Sequence, residues 1–204
     1  MDILLATNNK GKIERFKKLI GTLNTDVVLR TPAELGIDEI NVVEDGETLA
    51  DNALLKARAY FGKANMPILA NDTGFWVENE GLVEAPKRTA LQGATETELT
   101  EKQVTDKLIE FWKDKATKNG GQVNAAWVED FVLIMPDGTE HHVQSRRDIV
   151  LTDRVYGTPH PQMPVRCLYI SKATNKPSIQ HTEKEELLEM QPIVCALKEL
   201  VKHL

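Results

Sequence analysis

The segment that most constrains this chain lies at its beginning, where a short apolar run passes into a helical pattern through three polar residues. Residues 3–6 are apolar and predict a buried strand, and residues 7–9, here called the elbow, read Thr-Asn-Asn. These side chains favour helix caps and turns over helix interiors. Apolar residues then recur at helical spacing from Ile13 onwards. The sequence therefore predicts a strand, a polar elbow and a helix, in that order.

An elbow of this kind gathers free backbone N–H groups and the positive end of the helix dipole at one point. Lys10 and Lys12 add positive charge beside it. Such a point suits an anion, and a phosphate group fits it well. The same residues are equally typical of an ordinary capped helix after a first strand. Taken alone, the elbow does not decide between these two interpretations.

Apolar and turn-forming residues predict the other elements. They are a helix that runs to about residue 62, a buried strand at 67–70, a turn at 71–74, a returning strand at 75–77, a loop at 86–93 and a long helix at 95–118, opened by a capping box of Thr95 and Glu98. Two β runs, residues 122–135 and 140–151, flank an Asp-Gly pair, which is a strong hairpin signal. This pattern predicts an α/β protein with a mixed sheet, and 204 residues suit a single domain, residues 1–204.

The composition argues against two classes of protein. No stretch approaches the ~18 apolar residues of a membrane span, and no signal peptide is visible. A net charge of −6 disfavours binding to a nucleic-acid polymer, which needs surplus lysine and arginine. A free nucleotide is compatible with this charge if a metal ion offsets the acidic groups. Cys167 and Cys195 form no Cys-x-x-Cys pair, so we expect two core thiols in a reducing cytoplasm.

Three polar clusters are predicted where a strand or turn meets a helix. They are Thr7 with Asn9 and Lys12, Glu44 with Lys56, and Asp72 with Thr73. Loops beyond the strand ends of an α/β sheet converge on one crevice. Two carboxylates there can ligate Mg²⁺, a hard ion that takes few protein oxygens together with water and substrate phosphates. The lysines and the elbow would neutralise phosphate charge, so the set indicates phosphoryl chemistry.

Three blocks of this sequence resemble the inosine triphosphate pyrophosphatase family. Residues 5–12, Leu-Ala-Thr-Asn-Asn-Lys-Gly-Lys, are similar to its Thr-x-Asn-x-x-Lys signature, residues 44–57 to its second block, and residues 70–74, Ala-Asn-Asp-Thr-Gly, to its third, usually Ala-Asp-Asp-Ser-Gly. The resemblance implies hydrolysis of aberrant purine nucleoside triphosphates to monophosphate and pyrophosphate. It also implies an elongated mixed β-sheet with flanking helices, two lobes around a central cleft, and a homodimer.

Carried over residue by residue, the resemblance assigns triphosphate binding to Thr7, Asn9, Lys12, Lys56 and Thr73. It places Glu44 and Asp72 on Mg²⁺ and makes Asp72 the base for the attacking water. The chemistry is consistent, because an aspartate beside Mg²⁺ can orient a water for in-line attack.

The chain departs from the family at two places. Asn71 stands where the third block usually has an acidic residue, so Asp72 is expected to act without a neighbouring carboxylate. The family's Phe-Gly-(Tyr/Trp)-Asp-Pro loop and Ser-His-Arg motif, which recognise the base, are also missing. Residues 157–164 read Gly-Thr-Pro-His-Pro-Gln-Met-Pro, and residues 188–194 read Leu-Glu-Met-Gln-Pro-Ile-Val. Losing buried groups that read a base relaxes or redirects selectivity.

The sequence thus predicts a cytoplasmic, Mg²⁺-dependent nucleoside triphosphate pyrophosphatase with altered base selectivity. Two alternatives stay open: a nucleotide-binding protein with little or no turnover, and a pyrophosphatase for a modified or pyrimidine nucleotide. Asp72-Thr73-Gly74 also matches an aspartic protease half-site, but the triplet occurs once. The absence of a Gly-x-x-x-x-Gly-Lys-(Ser/Thr) loop argues against an ordinary ATPase or kinase.

Overall fold

The computed structural model describes residues 1–38, 40–94, 98–160 and 162–204. Its strands are β1 (Asp2–Leu5), β2 (Val28–Arg30), β3 (Ile68–Val77), β4 (Gly81–Val83), β5 (Gln122–Ile134), β6 (Glu140–Thr152), β7 (Tyr169–Ser171) and β8 (Lys176–Pro177). Its α-helices are α1 (Lys10–Ile20), α2 (Leu49–Tyr60), α3 (Pro86–Leu91), α4 (Glu101–Lys118), α5 (Glu183–Glu189) and α6 (Gln191–Val201). Short 3-10 turns occupy Ala33–Leu35, Pro164–Leu168 and Ser178–Gln180.

The strands form one mixed sheet. Their order is β2-β1-β3-β5-β6-β7-β8, and β4 pairs with β3 outside this path. Strand β1 is parallel to both β2 and β3, whereas β4 is antiparallel to β3, and β7 is antiparallel to β6 and β8. The predicted α/β class with a mixed sheet is confirmed. The expected arrangement of two lobes around a cleft stays a prediction.

The chain divides into two compact units. The first comprises Met1–Thr73, Glu129–Ser145 and Pro192–Leu204, and the second comprises Gly74–Val128 and Arg146–Gln191. In the first unit an apolar cluster includes buried residues of β1, α2, β3 and β5, and the rings of Phe16 and Phe131 meet edge to face at 5.5 Å. In the second unit Trp112 is fully buried and its ring lies 4.7 Å from that of Phe75. The single-domain prediction is not tested by this division.

Strand β3 differs most from its prediction. We expected a turn at residues 71–74 and a returning strand at 75–77, but Ile68–Val77 is one continuous strand of 10 residues. Asparagine, aspartate and glycine disfavour strands only weakly, and tertiary pairing overrides that preference. The position of β3 inside the sheet, between β1 and β5, supplies that context. The polar residues of this segment therefore lie within the sheet rather than on a turn.

Two predicted boundaries in the second unit are also corrected. Residues 86–93, predicted as a loop, contain α3, which begins at Pro86, a favoured first helical residue. Helix α4 begins at Glu101, where the Thr100 side chain and Gln103 form the capping box. The predicted start at Thr95 lies outside the described residues. Residues 95–103 contain two Thr-x-x-(Glu/Gln) patterns, and the second one caps α4.

Other local predictions are confirmed. The strand, elbow and first helix follow in the expected order, and β5 and β6 form the hairpin, with Met135 N–H donating to the Thr139 carbonyl at 2.8 Å. Cys167 is buried, but Cys195 is exposed, so the expectation of two core thiols is wrong for the latter. Helix α6 buries the stripe that contains Ala196, and Cys195 lies off that stripe. In the part of the chain that is described, no helix has the length and apolar character to cross a membrane.

Candidate active site

The elbow is shaped by its own side chains. The Asn9 side-chain oxygen accepts the backbone N–H of Lys12 at 3.1 Å and caps helix α1. The Thr7 hydroxyl accepts the Asn9 N–H at 3.2 Å. Thr7 and Asn9, which the resemblance places on the triphosphate, therefore also hold the turn in shape. The elbow leaves the start of α1 and its dipole at the end of β1, as predicted.

The register of the sheet brings β3 beside the elbow. Leu5, the last residue of β1, pairs with Leu69, so β3 continues beyond the end of β1. At that point the Lys12 ammonium donates to the backbone carbonyl of Asn71 at 3.5 Å. The pKa of Lys12 is lowered to about 8, first by burial and second by the positive charge of Lys56. The site thus holds two lysines close enough to repel each other.

Lys56 joins the two carboxylates that were predicted to hold a metal. Its Nζ lies 2.6 Å from Asp72 Oδ1 and 3.1 Å from Glu44 Oε2. Helix α2 carries the lysine, β3 carries the aspartate, and the loop before α2 carries the glutamate. Asp72 is buried, with 7% of its surface exposed. The structure therefore brings these three predicted residues together around one cation.

A tight turn before α2 fixes the approach of Glu44. The N–H of Gly46 donates to the Asn52 side-chain oxygen at 2.9 Å. A Cβ atom at Gly46 would lie 2.6 Å from the Cβ of Asp51, which is too close for any other residue. Thr48 caps α2 by accepting the Asp51 N–H at 3.1 Å. The Glu-x-Gly-x-Thr pattern is thus a close-packed turn that ends in a helix cap.

A cavity of about 350 Å³ lies in the first unit at this point. It is lined by Ala6, Thr7, Asn8, Asn9, Lys12, Ile40, Asn41, Val42, Glu44, Lys56, Tyr60 and Asn71. Five predicted site residues are therefore in its wall. Tyr60 was not predicted; its hydroxyl accepts the Ile40 N–H at 3.4 Å and connects α2 to a loop that lines the cavity.

Glu129 and Arg15 form the other group that sequence reasoning missed. Glu129, on β5, is fully buried, and Arg15 NH1 and NH2 donate to its two oxygens at 3.1 and 2.5 Å. The Asn71 amide donates to Glu129 Oε2 at 3.1 Å, and the Thr73 hydroxyl donates to the same oxygen at 3.5 Å. The sequence did contain a signal, because two consecutive acids interrupt the apolar run of residues 125–134, and a buried carboxylate requires partners.

Although position 71 is an amide, Asp72 has an acidic neighbour on β5, Asp130. Asp130 is half-buried, and burial raises its pKa, with a further increase from the negative charge of Asp72. The Gln144 amide donates to Asp130 at 3.1 Å and opposes that rise. Acidic side chains therefore lie on β5, the strand next to the one that carries Asn71 and Asp72.

The donor set fits a magnesium ion. Among the described residues, no three histidine, cysteine, aspartate or glutamate side chains are grouped to hold a metal by themselves. Mg²⁺ commonly takes one or two carboxylates and completes its shell with water and substrate phosphates. Glu44 and Asp72 already converge on the Lys56 ammonium, so two oxygen donors face one cationic position.

The segment that replaces the family's Ser-His-Arg motif contributes Glu189 to a buried polar cluster of the second unit. Glu189 accepts hydrogen bonds from Arg147 at 3.2 Å, from the Tyr169 hydroxyl at 2.9 Å and from the Ser178 hydroxyl at 2.7 Å. These side chains are almost completely enclosed. Burial raises the pKa of Tyr169 far above its ordinary value. This cluster has the character of a structural core rather than of an open binding surface.

The fold and the site define a mixed-sheet α/β protein with a lysine- and carboxylate-lined cavity at the end of its first strand. The sequence model of the Ham1 family matches residues 3–157. The chain belongs to this family, and the resemblance found in the three sequence blocks is confirmed. The match ends where the loop that lacks the base-recognition motif begins.

Curated relatives carry the name dITP/XTP pyrophosphatase. The match to that of Corynebacterium diphtheriae has 29% identity over 147 residues and covers 72% of this chain and 68% of the relative. The match to that of Photorhabdus laumondii has 35% identity over 112 residues and covers 55% and 53%. The chain thus spans from about half to two thirds of these relatives.

Two solved structures share the fold over the whole chain. A HAM1 protein from Coxiella burnetii has a TM-score of 0.75 at 15% identity, with 100% of both chains covered. The Ham1 protein of Staphylococcus aureus has a TM-score of 0.73 at 20% identity, with 100% of this chain and 99% of that chain covered. At these identities the likeness establishes the architecture.

Proposed function

We propose that this chain hydrolyses a nucleoside triphosphate to the monophosphate and pyrophosphate, with Mg²⁺ as cofactor, and that it removes aberrant or modified nucleotides. The observation that carries the proposal is the convergence of the elbow, Lys12, Lys56 and Glu44 on one cavity beside Asp72. Membership of the Ham1 family and the names of the curated relatives support the reaction class.

In this proposal the cations hold the phosphates. Lys12, Lys56 and the N–H groups at the elbow neutralise the triphosphate and the departing pyrophosphate. Thr7, Asn9 and Thr73 add polar contacts to phosphate oxygens. Their hydroxyl and amide groups already hold the turn and strand in shape, so binding would add to an existing network.

Water attacks the α-phosphorus, the bond from that phosphorus to the bridging oxygen breaks, and pyrophosphate leaves. Asp72 accepts the proton of the attacking water through its carboxylate. Glu44 and Asp72 would hold Mg²⁺. When bound, this ion neutralises phosphate charge and makes a coordinated water more acidic.

The proposal includes an altered base selectivity. The two motifs with which the family reads the base are absent, and Glu189 lies instead in an enclosed cluster with Arg147. A cytoplasmic location and a homodimer are parts of the proposal that derive from the cysteines and from the family resemblance.

A panel of nucleoside triphosphates tests the proposal. Pyrophosphate release is measured for ATP, GTP, CTP, UTP, ITP, XTP, dITP and dUTP, with and without Mg²⁺. We expect Mg²⁺-dependent release from at least one of them. No release from any member of the panel, with nucleotide binding preserved in calorimetry, would support the second candidate, a nucleotide-binding protein with little turnover. Asn71, an amide at a usually acidic position, is the observation that favours this candidate.

The proposed role of Asp72 as general base is tested by Asp72→Asn. This change keeps the size of the side chain but removes its ability to accept a proton. We expect kcat to fall by about 1,000-fold while binding of a non-hydrolysable triphosphate analogue persists. An unimpaired variant would remove Asp72 from the role of base.

A further inference from the structure

Glu129 connects two elements of the candidate site. It is a fully buried carboxylate on β5. Arg15, which donates to both of its oxygens, comes from α1, the helix that the elbow begins. Asn71 and Thr73, which donate to Oε2, come from β3, the strand that carries Asp72. A single carboxylate therefore ties the phosphate-facing helix to the strand of the proposed base.

The chemistry of Glu129 dictates the orientation of the Asn71 amide. An ionised carboxylate can only accept hydrogen bonds, so Asn71 must present its NH₂ group to it. The observed contact, Asn71 Nδ2 to Glu129 Oε2 at 3.1 Å, has this orientation, and the same nitrogen lies 3.2 Å from the Thr73 hydroxyl. The carbonyl side of the amide is thereby turned away from Glu129.

An aspartate at position 71 would be incompatible with this arrangement. It would place two carboxylates about 3 Å apart, and one of them would have to take up a proton. The departure of Asn71 from the family pattern and the buried Glu129 therefore belong together. In this chain the amide is on β3 and the buried negative charge is on β5.

We propose that Glu129, paired with Arg15, is a positioning residue of this site, and that Asn71 and Glu129 act as one unit in place of a second acid on β3. Glu129 holds the Asn71 amide and the Thr73 hydroxyl in one orientation beside Asp72. The catalytic consequence rests on the proposed function, whereas the pairing itself stands on the contacts.

The Arg15–Glu129 contact also positions Lys12. Arg15 lies three residues after Lys12 on α1, so the two side chains project from neighbouring positions on one face. Lys12 donates to the Asn71 backbone and Arg15 donates to Glu129, which gives α1 two attachments near one strand segment. Loss of the second attachment would let α1 and the elbow shift, and a displacement of about 1 Å at a reactive site can cost ~100-fold in rate.

An exchange of the two side chains tests the proposal. Asn71→Asp alone places two carboxylates together, and Glu129→Gln alone deprives Arg15 of its carboxylate. We expect each single variant to lower kcat/KM by about 10- to 100-fold, the range seen when outer partners of a site are lost. The double variant Asn71→Asp/Glu129→Gln restores an amide–carboxylate pair with the two sides exchanged. Its kcat/KM should exceed the product of the single effects by at least about 10-fold.

Another asparagine–glutamate pair, with its asparagine on β5, provides a matched control. In the second unit the Asn124 amide donates to Glu78 Oε2 at 2.9 Å on the protein surface. The exchange Asn124→Asp/Glu78→Gln and its single variants should leave kcat/KM within about twofold of the wild type, because exposed pairs contribute little.

Three readouts separate the outcomes: kcat and KM individually, the Kd of a non-hydrolysable triphosphate analogue, and Tm. Coupling between positions 71 and 129 in kcat or in analogue Kd supports a positioning role. Coupling in Tm alone would make Glu129 purely structural and overturn the proposal, as would single effects that simply multiply. If the wild type binds triphosphate without hydrolysing it, the proposed function fails and analogue Kd still decides this inference. If it does neither, both are overturned.

Discussion

Lys56 shows how the site is assembled at the scale of single residues. Its ammonium contacts carboxylates from a loop and from a strand, and 14% of its side chain is exposed. Without it, Glu44 and Asp72 would face each other with uncompensated negative charge. The same ammonium is within reach of the cavity that the elbow and Lys12 line. Lys56 thus brings the acidic groups together, and in the proposed function it also supplies positive charge to a bound phosphate.

We expect Lys56→Met to lower kcat/KM for the best triphosphate substrate by about 100-fold or more, because a preorganised charge at a reacting group is lost. Steady-state pyrophosphate release measures the effect. Lys63→Met, at an exposed position just after α2, is the control and should change kcat/KM little. Equal activity of both variants would show that Lys56 does not contact the substrate.

Lys12 predicts a pH dependence. Its pKa is lowered to about 8, chiefly by burial, so the ammonium that attracts phosphate is lost as the pH rises through about 8 in the free enzyme. We therefore expect kcat/KM to fall above that pH, since this parameter reports ionisations of the free enzyme. In the variant Lys12→Arg the guanidinium stays charged, so its kcat/KM should stay constant over the same pH range. A profile of the arginine variant that falls in parallel with the wild type would contradict the assignment.

The same shift has a consequence for stability. The folded-state pKa of Lys12 lies below its unfolded value of 10.5, so the folded state binds its proton more weakly than the unfolded state does. Below about pH 8 Lys12 is protonated in both the folded and the unfolded state, and it lowers the stability of the folded state there. The penalty lessens as the pH rises from about 8 towards 10.5.

At the scale of elements, the sequence predicted the features that depend on residues close together in the chain, such as caps and turns. The elbow and α1 followed from Asn9 and the apolar spacing, and the hairpin followed from its Asp-Gly turn. The continuous β3 could not be predicted, because its polar segment is stabilised by partners that are distant in the sequence. The Asn71–Glu129 contact joins residues 58 positions apart. No spacing rule within one segment reports such a contact.

The turn before α2 gives a prediction at this scale. A Cβ at Gly46 would lie 2.6 Å from the Cβ of Asp51, at the start of the helix that carries Lys56. We expect Gly46→Ala to destabilise the protein by about 1–3 kcal/mol, as overpacking does, and to lower kcat/KM through a displaced Glu44. Thermal unfolding and pyrophosphate release measure the two effects. Gly21→Ala, where the new Cβ would meet backbone oxygens at 3.4 Å, should be close to neutral.

At the scale of the whole molecule, the charge is negative while the candidate site concentrates lysines. The net charge of −6 repels polyanions, so under the proposed function attraction for phosphate is confined to a small region. A nucleotide can enter such a region, but a nucleic-acid duplex spreads its phosphates over a much larger surface.

We expect duplex DNA to show no binding in fluorescence anisotropy at moderate salt, while a triphosphate analogue binds in calorimetry under the same conditions. The analogue affinity should weaken as salt is raised, because counterions screen the lysines. Tight binding of a random-sequence duplex would contradict the assignment to free nucleotides.

The parallel pairing of β1 with β3 also determines when the site comes into existence during folding. Leu5 must find Leu69 across a long intervening chain, whereas β5 and β6 need only close a short turn. Contacts that close long loops form slowly, and hairpins form within microseconds. The elbow and Asp72 therefore meet late, and recovery of activity on refolding should lag behind recovery of β structure.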